Sequence, residues 1–448
     1  MIKHFKILFF LLIFTRICFS QTQFLTFKND TLLLNPKYSA FSSFGKENDN
    51  VFLLGISLKL KHNHKTNFNI AYDYLEIDNI NIIKNYYDSL SIYPNFNNKN
   101  VRLRYSINHQ FNSIFNIDVG KGNNFIGEGH RSLLLSNLQA PYPYVKLTTK
   151  FGKVTYKNLY STLYNLNNNN LVKKFSATHY LNIDINSNIN IGIFESVLWQ
   201  SRYSGQKIGY EIGYLNPIIF YRPVEFSMGS DKGNTLMGLN LLVKNKNHKF
   251  YGQFLLDDLN ISRQKDSDTE NYSSGFFQNK YGYQLGAIFN YENLNFNLEY
   301  NHVQPYTYAH KRVGQNYSHM NQSLAHPLGA NFKEFINIVK FKKENFLFRL
   351  SSKFIKIGLD SVTSHFGQNI FFSDYDATNG GEYSYGNYNG QGILTNMYVV
   401  QPEISYKLKY FDVFSSIYYL KKKSDLLDQT SFYIFIGIRN IPFSVFPF

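Results

Sequence analysis

A planar, fork-shaped guanidinium suits the grip of a sugar carboxylate, and Arg222 stands in a segment with the residues to frame one: Tyr214-Leu215-Asn216-Pro217-Ile218-Ile219-Phe220-Tyr221-Arg222-Pro223-Val224-Glu225-Phe226, with Asp231 just beyond. The plainer reading is that Arg222 and Glu225 form a buried pair that locks a loop. Arg131 ends the glycine-rich run Gly120-Lys121-Gly122-Asn123-Asn124-Phe125-Ile126-Gly127-Glu128-Gly129-His130-Arg131, which leads to Pro141-Tyr142-Pro143-Tyr144. No helical pattern and no Lys-Ser/Thr pair follow those glycines, so the run is a tight loop and not a phosphate cradle. Other dense segments are Asn279-Lys280-Tyr281-Gly282-Tyr283-Gln284-Leu285-Gly286 and Gln304-Pro305-Tyr306-Thr307-Tyr308-Ala309-His310, the latter continuing to Leu324-Ala325-His326-Pro327-Leu328-Gly329-Ala330-Asn331. Tyr142, Tyr144, Tyr221, Tyr306 and Tyr308 have ring faces that can stack on the C–H surface of a sugar, or that simply pack. His302, His310, His319 and His326 cluster in sequence, but their spacing matches no compact metal motif. There is no Gly-x-Ser-x-Gly elbow. The residues therefore point to ligand binding, with Arg131, Tyr142, Tyr144, Tyr221, Arg222, Glu225, Asp231, Tyr306, Tyr308, His310 and His326 as candidates. They point to no catalytic centre, metal or cofactor, and the chain is read as a non-enzyme.

The elements that must position these residues are strands. Phe68, Ile70, Tyr72 and Tyr74 alternate with Asn67, Asn69, Ala71 and Asp73; Val101, Leu103, Tyr105 and Ile107 alternate with Arg102, Arg104, Ser106 and Asn108. The same period of two runs through 54–60, 294–301 and 404–410. A strand buried on both faces would not carry arginine at every second place, so one face meets lipid and the other water. Strands pair across tight turns: 51–61 with 66–76, 100–110 with 113–121, 143–150 with 153–162, 174–184 with 188–197, 235–244 with 249–257, 281–290 with 294–303, 334–342 with 345–354, and 396–409 with 411–421. Long segments separate the pairs: 77–99, 122–142, 163–173, 198–234, 258–280, 304–333 and 357–395. Short turns on one side and long loops on the other are the organisation of an outer-membrane barrel. With Tyr38 to Phe44 as the opening strand and 429–440 as the last, the expectation is an all-β, antiparallel transmembrane barrel of about eighteen strands. Its long extracellular loops are enough chain to plug the lumen in part. Lys59, Arg102, Arg104, Arg349, Lys407 and Lys409 are expected to face that lumen, where they either favour anions or form structural ladders with Glu or Asp partners.

Composition agrees. Residues 1–20 read as an export signal: Lys3 and Lys6, the apolar run Ile7 to Phe14, and cleavage before Gln21. The remaining 21–448 read as a single barrel domain. The one cysteine, Cys18, leaves with the signal, so an exported chain of this size needs a source of stability other than disulfides, and barrel closure is one. Aromatics make up 18% of the chain with a single Trp, which fits interfacial girdles of Tyr and Phe. No later run approaches the ~18 apolar residues of a membrane helix. A formal charge of +15 in an exported protein points away from nucleic acid and toward an anionic surface polymer or lipid phosphates, or reflects a Lys- and Asn-rich coding bias. The terminal Phe448 resembles the signal read by the barrel assembly machinery, although Pro442 and Pro447 sit badly in a strand.

The motif segments quoted above, from about residue 100 to 340, resemble the Wzi-type capsule-assembly proteins of the outer membrane, in particular the Bacteroidetes branch that includes the gliding-motility proteins called RemB. That resemblance implies an eighteen-stranded barrel that holds acidic or neutral capsular polysaccharide at the cell surface as a lectin. Enterobacterial members begin with a periplasmic helical bundle, which is missing or minimal here. Three functions follow: polysaccharide retention first, a gliding-motility or adhesion component with gliding or secretion machinery as partner second, and an anion-preferring pore third. Inward packing of 304–333 and 198–234 under a basic, aromatic groove would favour the lectin.

Overall fold

The computed structural model describes residues 23–27, 30–45, 49–77, 99–167, 170–203, 206–216, 233–259, 276–277, 279–361, 364–375 and 385–440. The expected signal at 1–20, the terminal Phe448, and Tyr221, Arg222, Glu225 and Asp231 lie outside them.

Eighteen antiparallel strands form the wall: β1 Asp30–Gly45, β2 Asp49–His62, β3 Thr66–Ile77, β4 Lys99–Gln110, β5 Phe115–Gly122, β6 Tyr142–Phe151, β7 Val154–Asn167, β8 Asn170–Asp184, β9 Ile189–Gln200, β10 Asn234–Asn245, β11 His248–Asp258, β12 Lys280–Asn290, β13 Leu294–Val303, β14 Phe332–Lys343, β15 Phe346–Leu359, β16 Ile393–Lys407, β17 Asp412–Lys423 and β18 Asp428–Arg439. Each pairs with its sequence neighbour, and β1 pairs with β18 from Ser39↔Arg439 to Gly45↔Tyr433, so the sheet closes on itself and leaves no free lateral edge between first and last strand. A short leading strand, Gln23–Phe27, pairs with the part of β1 that extends beyond β18.

Alternation sets which way each side chain points. Ile70, Val101, Leu103, Tyr105, Leu239, Phe254, Phe348 and Phe354 are exposed on the outside, a belt that only hydrocarbon would solvate well. The alternate positions, such as Asn240, Gln253, Gln284, Glu299 and Asn301, are buried inside. Tight turns end the strand pairs on one rim, where Asn63, His64, Gly152, Lys246 and Glu344 take the left-handed backbone that two-strand turns require.

Three expectations need correction. The first strand begins at Asp30, not Tyr38, because its lower half is paired on both edges by β2 and the leading strand. The segment 163–173 is not a long loop: β7 and β8 continue as a ladder to Asn167↔Asn170. Lys409 lies in the turn after β16, its ammonium over the ring of Tyr410 at 5.2 Å, and so does not line the wall.

One outer segment takes an outward route. After β9, residues 206–216 fold back over the membrane-facing surface of β7 to β9. Tyr210 donates to Ser176 O (2.8 Å), Tyr160 to Leu215 O (2.9 Å) and Trp199 Nε1 to Gly209 O (3.3 Å). Trp199, Tyr214, Phe175, Val197 and Ala177 form a small apolar cluster beneath it, apart from the core inside the barrel. The described part of 198–234 therefore does not enter the lumen. Beneath the same face lie Asn158, His179 and Glu195, opposite one another on three adjacent strands and buried.

Candidate functional site

Three loops enter the lumen from the outer rim. The β5–β6 loop carries Arg131, Ser132, Leu133, Leu134 and Leu135; the β13–β14 loop carries Tyr306, Tyr308, Tyr317 and His326; the β15–β16 loop carries His365, Gln368 and Ile370. All are buried. The loops bind one another through main-chain groups that the wall does not use: Ser136 N to Leu324 O (2.7 Å), Tyr306 N to Gly367 O (2.9 Å), and Ile126 N to Leu135 O (2.9 Å) within the first loop. Side chains complete the plug. The Tyr308 hydroxyl donates to Leu133 O (2.9 Å), Tyr317 to Leu134 O (2.8 Å), Asn316 Nδ2 to Ile370 O (2.9 Å) and Gln368 Nε2 to Leu328 O (3.0 Å). A backbone buried away from water has to find such partners.

Wall residues fasten the plug at fixed points. Glu299 on β13 accepts from His130 N (2.7 Å), Arg131 N (3.1 Å), the Tyr251 hydroxyl (2.8 Å) and Asn301 Nδ2 (2.9 Å). Gly129 has to be glycine here, because a Cβ would stand 2.3 Å from a Glu299 carboxylate oxygen. Of the glycines in that run, Gly127 adopts the left-handed backbone (φ 149°), with the Gln253 amide against it. Gln253 Oε1 accepts from Leu133 N (2.8 Å). Glu334 on β14 meets His326 Nε2 at 2.7 Å and Arg131 Nε at 3.9 Å. Lys174 on β8 donates to Asn316 O and Ser318 Oγ (2.8 and 3.1 Å), and Lys280 on β12 pairs with Asp374. Asp257 accepts from Tyr308 N (2.6 Å), which holds Tyr308 at φ 72°. Tyr306, at φ 65°, is strained in the same way, and such residues persist only where surrounding bonds over-determine them.

This geometry places the candidate residues. Arg131, Tyr306, Tyr308 and His326 come together in the plug, and Tyr142 packs at its edge against His319 (5.7 Å). Tyr142, Tyr306 and Tyr308 are sealed inside the protein, with no ring face open to a sugar. Tyr144 lies at the start of β6, its hydroxyl on Asp118 (3.1 Å). His310 accepts from Arg312 N (3.1 Å). The histidines do not converge. His302 stacks on Tyr283 (4.7 Å) and His319 receives Tyr164 N (3.0 Å). Among the described residues no group of three or more His, Cys, Asp or Glu could hold a metal ion. Burial, then the charges of Lys174 and Lys121, pushes His319 down to about 3; burial and Lys280 push His310 down to about 4. Both are neutral in the docked plug.

Toward the periplasmic turns the lumen wall changes character. Lys244 on β10 stands directly opposite Lys249 on β11, and Lys340 on β14 opposite Arg349 on β15. Like charges facing each other across a ladder are unfavourable. None of the four has an ion-pair partner among the described residues, although Arg349 also stands opposite Glu403 on β16, a carboxylate held by Arg439; the plug's Glu128 reaches Lys244 and Lys249 only through space, and burial raises its own pKa. Lumen carboxylates, by contrast, have partners: Asp73 with Lys37 (3.6 Å) and Arg104, Asp118 with Lys146 (3.1 Å), Glu403 with Arg439 (2.6 Å). The sequence signal for these opposed pairs is a basic residue on each side of a tight turn, Lys244 and Lys249 about 246–247 and Lys340 and Arg349 about 344–345, and of the four only Arg349 was expected to line the lumen.

No protein-family model matches the chain, and no curated protein matches it. Solved structures do. The outer membrane protein OpdK of Pseudomonas aeruginosa aligns with a TM-score of 0.50 at 8% identity, over 93% of this chain and 99% of that one. OprD of Pseudomonas aeruginosa aligns at 0.47 and 11% identity over 94% and 97%, and OccK5 (OpdH) of the same organism at 0.48 and 9% over 92% and 97%. At such identities the OpdK likeness speaks to fold alone. Closed wall, apolar outer belt and polar interior, joined to that likeness, make this chain an integral outer-membrane protein, a closed eighteen-stranded β-barrel.

Proposed function

We propose that the barrel is an anion-preferring outer-membrane conduit whose passage is narrowed by its three inward loops. The observation that carries this reading is the pair of like-charge contacts, Lys244↔Lys249 and Lys340↔Arg349, on the lumen wall near the periplasmic mouth. Opposed cations that form no ion pair among the described residues are unfavourable unless they meet mobile anions, and rings of basic side chains favour anions in a pore. The test is a planar-bilayer recording across a KCl gradient with the purified barrel. A reversal potential of anion-selective sign supports the reading; cation selectivity, or no conductance at any voltage, ends it.

A second reading keeps the resemblance to Wzi-type proteins: retention of surface polysaccharide. It is favoured by the dry plug, since an outer half filled by Leu133, Tyr308, Tyr317 and Leu328 suits a surface binder better than a wide pore. Its test is the ratio of cell-bound to released polysaccharide in a deletion strain; unchanged retention removes it.

A further inference from the structure

One arc of the membrane-facing surface carries lysines where the rest of the belt is apolar. Along β14 the side chains alternate: Phe332, Glu334 and Ile336 are buried inside, and Phe335 is exposed on the membrane side. Lys333 shares the outward parity of Phe335. Along β15 Lys353, Ile355 and Ile357 are buried inside, so Lys356 points outward with Phe354. The ladder sets Lys333 directly opposite Lys356, and Phe335 opposite Phe354 one outward position nearer the periplasm. On β16 Asn396 stands opposite Lys356 and Tyr398 opposite Phe354; on β17 Lys421 stands opposite Tyr398.

These cations lie at the outer edge of the belt. β14 starts from the outer β13–β14 loop and β15 ends in the outer β15–β16 loop, so Lys333 and Lys356 lie above Phe335 and Phe354. Ladder rows climb toward that rim from β15 to β17. Phe346, in the closing pair of its hairpin, stands opposite Tyr406, one pair above the closing pair of the next hairpin. Lys421, on the row of Phe354 and Tyr398, therefore lies above Phe354 and close to the level of Lys356. A cleft of about 150 Å³ is lined by Tyr300, Phe335, Phe354 and Tyr398 together with Lys333, Lys356 and Asn396. Glu334 also borders it, but its carboxylate turns inward to His326 (2.7 Å). Lys333, Lys356 and Lys421 have no carboxylate across any ladder: their partners are His302, one another, Asn396, Tyr398 and Thr430. On β18, Asp428 stands opposite Lys423 instead.

A lone lysine at a membrane interface need only reach water. A directly opposed pair, with a third cation near the same level, concentrates positive potential over a ring-lined cleft where lipid heads meet lipid chains. We infer that this arc of β14 to β17 docks an outer-leaflet lipid with a phosphorylated head. The phosphate sits between Lys333 and Lys356, Asn396 and Lys421 flank it, and the acyl chains run down over Phe335 and Phe354. The arc lies on the outside of the wall, so the docking stands or falls independently of conduction through the lumen.

The test uses the full-length barrel folded in neutral detergent and a fluorescent acylated disaccharide bearing two phosphates, read by anisotropy. Saturable binding is expected, weakened by about thirtyfold in K333S/K356S and by about fivefold in K421S, since each lysine beside an anionic lipid head contributes about that factor. The same glycolipid without phosphates should bind the wild-type barrel as weakly as the phosphorylated one binds the double variant. Millimolar inorganic phosphate should not compete. Lys153→Ser, at a periplasmic turn where the ammonium meets Ile185 O (3.2 Å), should leave binding unchanged. Heat-dependent gel mobility reports whether each variant is folded. Should the double variant misfold, Lys356→Ser alone, at an exposed position, carries the test with an expected loss of about fivefold. Equal binding of the phosphate-free glycolipid, unchanged affinity in a folded lysine variant of the arc, displacement by inorganic phosphate, or an equal loss in Lys153→Ser would each overturn the inference.

Discussion

The two halves of the lumen handle charge in opposite ways. In the outer half, where the plug excludes water, Glu334 meets Arg131 and His326, Lys280 meets Asp374, and Glu299 takes neutral donors on every side. In the periplasmic half Glu403 holds Arg439, but the same sheet leaves Lys244 facing Lys249 and Lys340 facing Arg349. The difference lies in the solvent. A charge moved out of water must be paired or lose stability by several kcal/mol, while a charge in a wet vestibule is screened over a Debye length of about 10 Å at 0.1 M salt. Those ion pairs and hydrogen bonds mark the outer half as built to stay in place. The opposed cations, which form no ion pair among the described residues, mark the inner half as built to meet something mobile.

If that contrast is right, the largest effects come from breaking the dry half. Glu299→Ala removes the acceptor of His130 N, Arg131 N and the Tyr251 hydroxyl together, and docking of the β5–β6 loop should weaken by about 3–5 kcal/mol. Trypsin should then cut at Arg131 in the folded barrel. Continued resistance at Arg131 would show that Glu299 does not hold the loop.

Acid should act next. His319 and His310 have pKa values of about 3 and 4 in the docked plug, below the ordinary histidine value, so the undocked loop takes up protons that the docked one refuses. Docking is therefore complete above the ordinary value of about 6.5 and weakens as pH falls through it, by about 1.4 kcal/mol per unit per histidine until the docked values are reached. Proteolysis of the β13–β14 loop should accelerate between pH 7 and pH 5, on the order of those free energies, and His319→Gln should flatten the response. A rate independent of pH would exclude both residues as determinants. Smaller still, Tyr308→Phe and Tyr317→Phe each delete one hydrogen bond, to Leu133 O and Leu134 O, at about 1 kcal/mol by thermal unfolding; because the acceptors are adjacent, the double variant should lose less than the sum.

The wall was legible because a strand's side-chain period is two and its turns are local. Runs such as Val101-Arg102-Leu103-Arg104 state both faces within a few residues, and loop lengths then set the strand number. The plug was legible only as spare chain. Its contacts join residues far apart in sequence, such as Arg131 with Glu299 or Lys174 with Asn316, and no periodicity announces them. The upper ends of β7 and β8 hid behind Asn165 to Asn170, since asparagine is a poor strand former that is carried here by the ladder on its neighbour. The outward fold of 206–216 had a signal that went unread: Glu195 and His179 interrupt the apolar side of β9 and β8, and a polar residue aimed at lipid needs cover.

The smallest change in stability carries the sharpest sign. Replacing Lys340 by Gln removes one half of a like-charge contact with Arg349, so the barrel should become slightly more stable, by about 0.2–1 kcal/mol, where most substitutions destabilise. Anion preference should fall at the same time, by about twofold in permeability ratio at 0.1 M KCl and hardly at all at 1 M, where the Debye length is only about 3 Å. The two readouts move in opposite directions because they share one cause: the repulsion that weakens the wall is the field that recruits the anion. Lys244→Gln should repeat the result through Lys249. A variant that gained stability with its selectivity intact would mean that the opposed cations are incidental to transport. One that lost both would mean that Lys340 has a partner that holds the wall together.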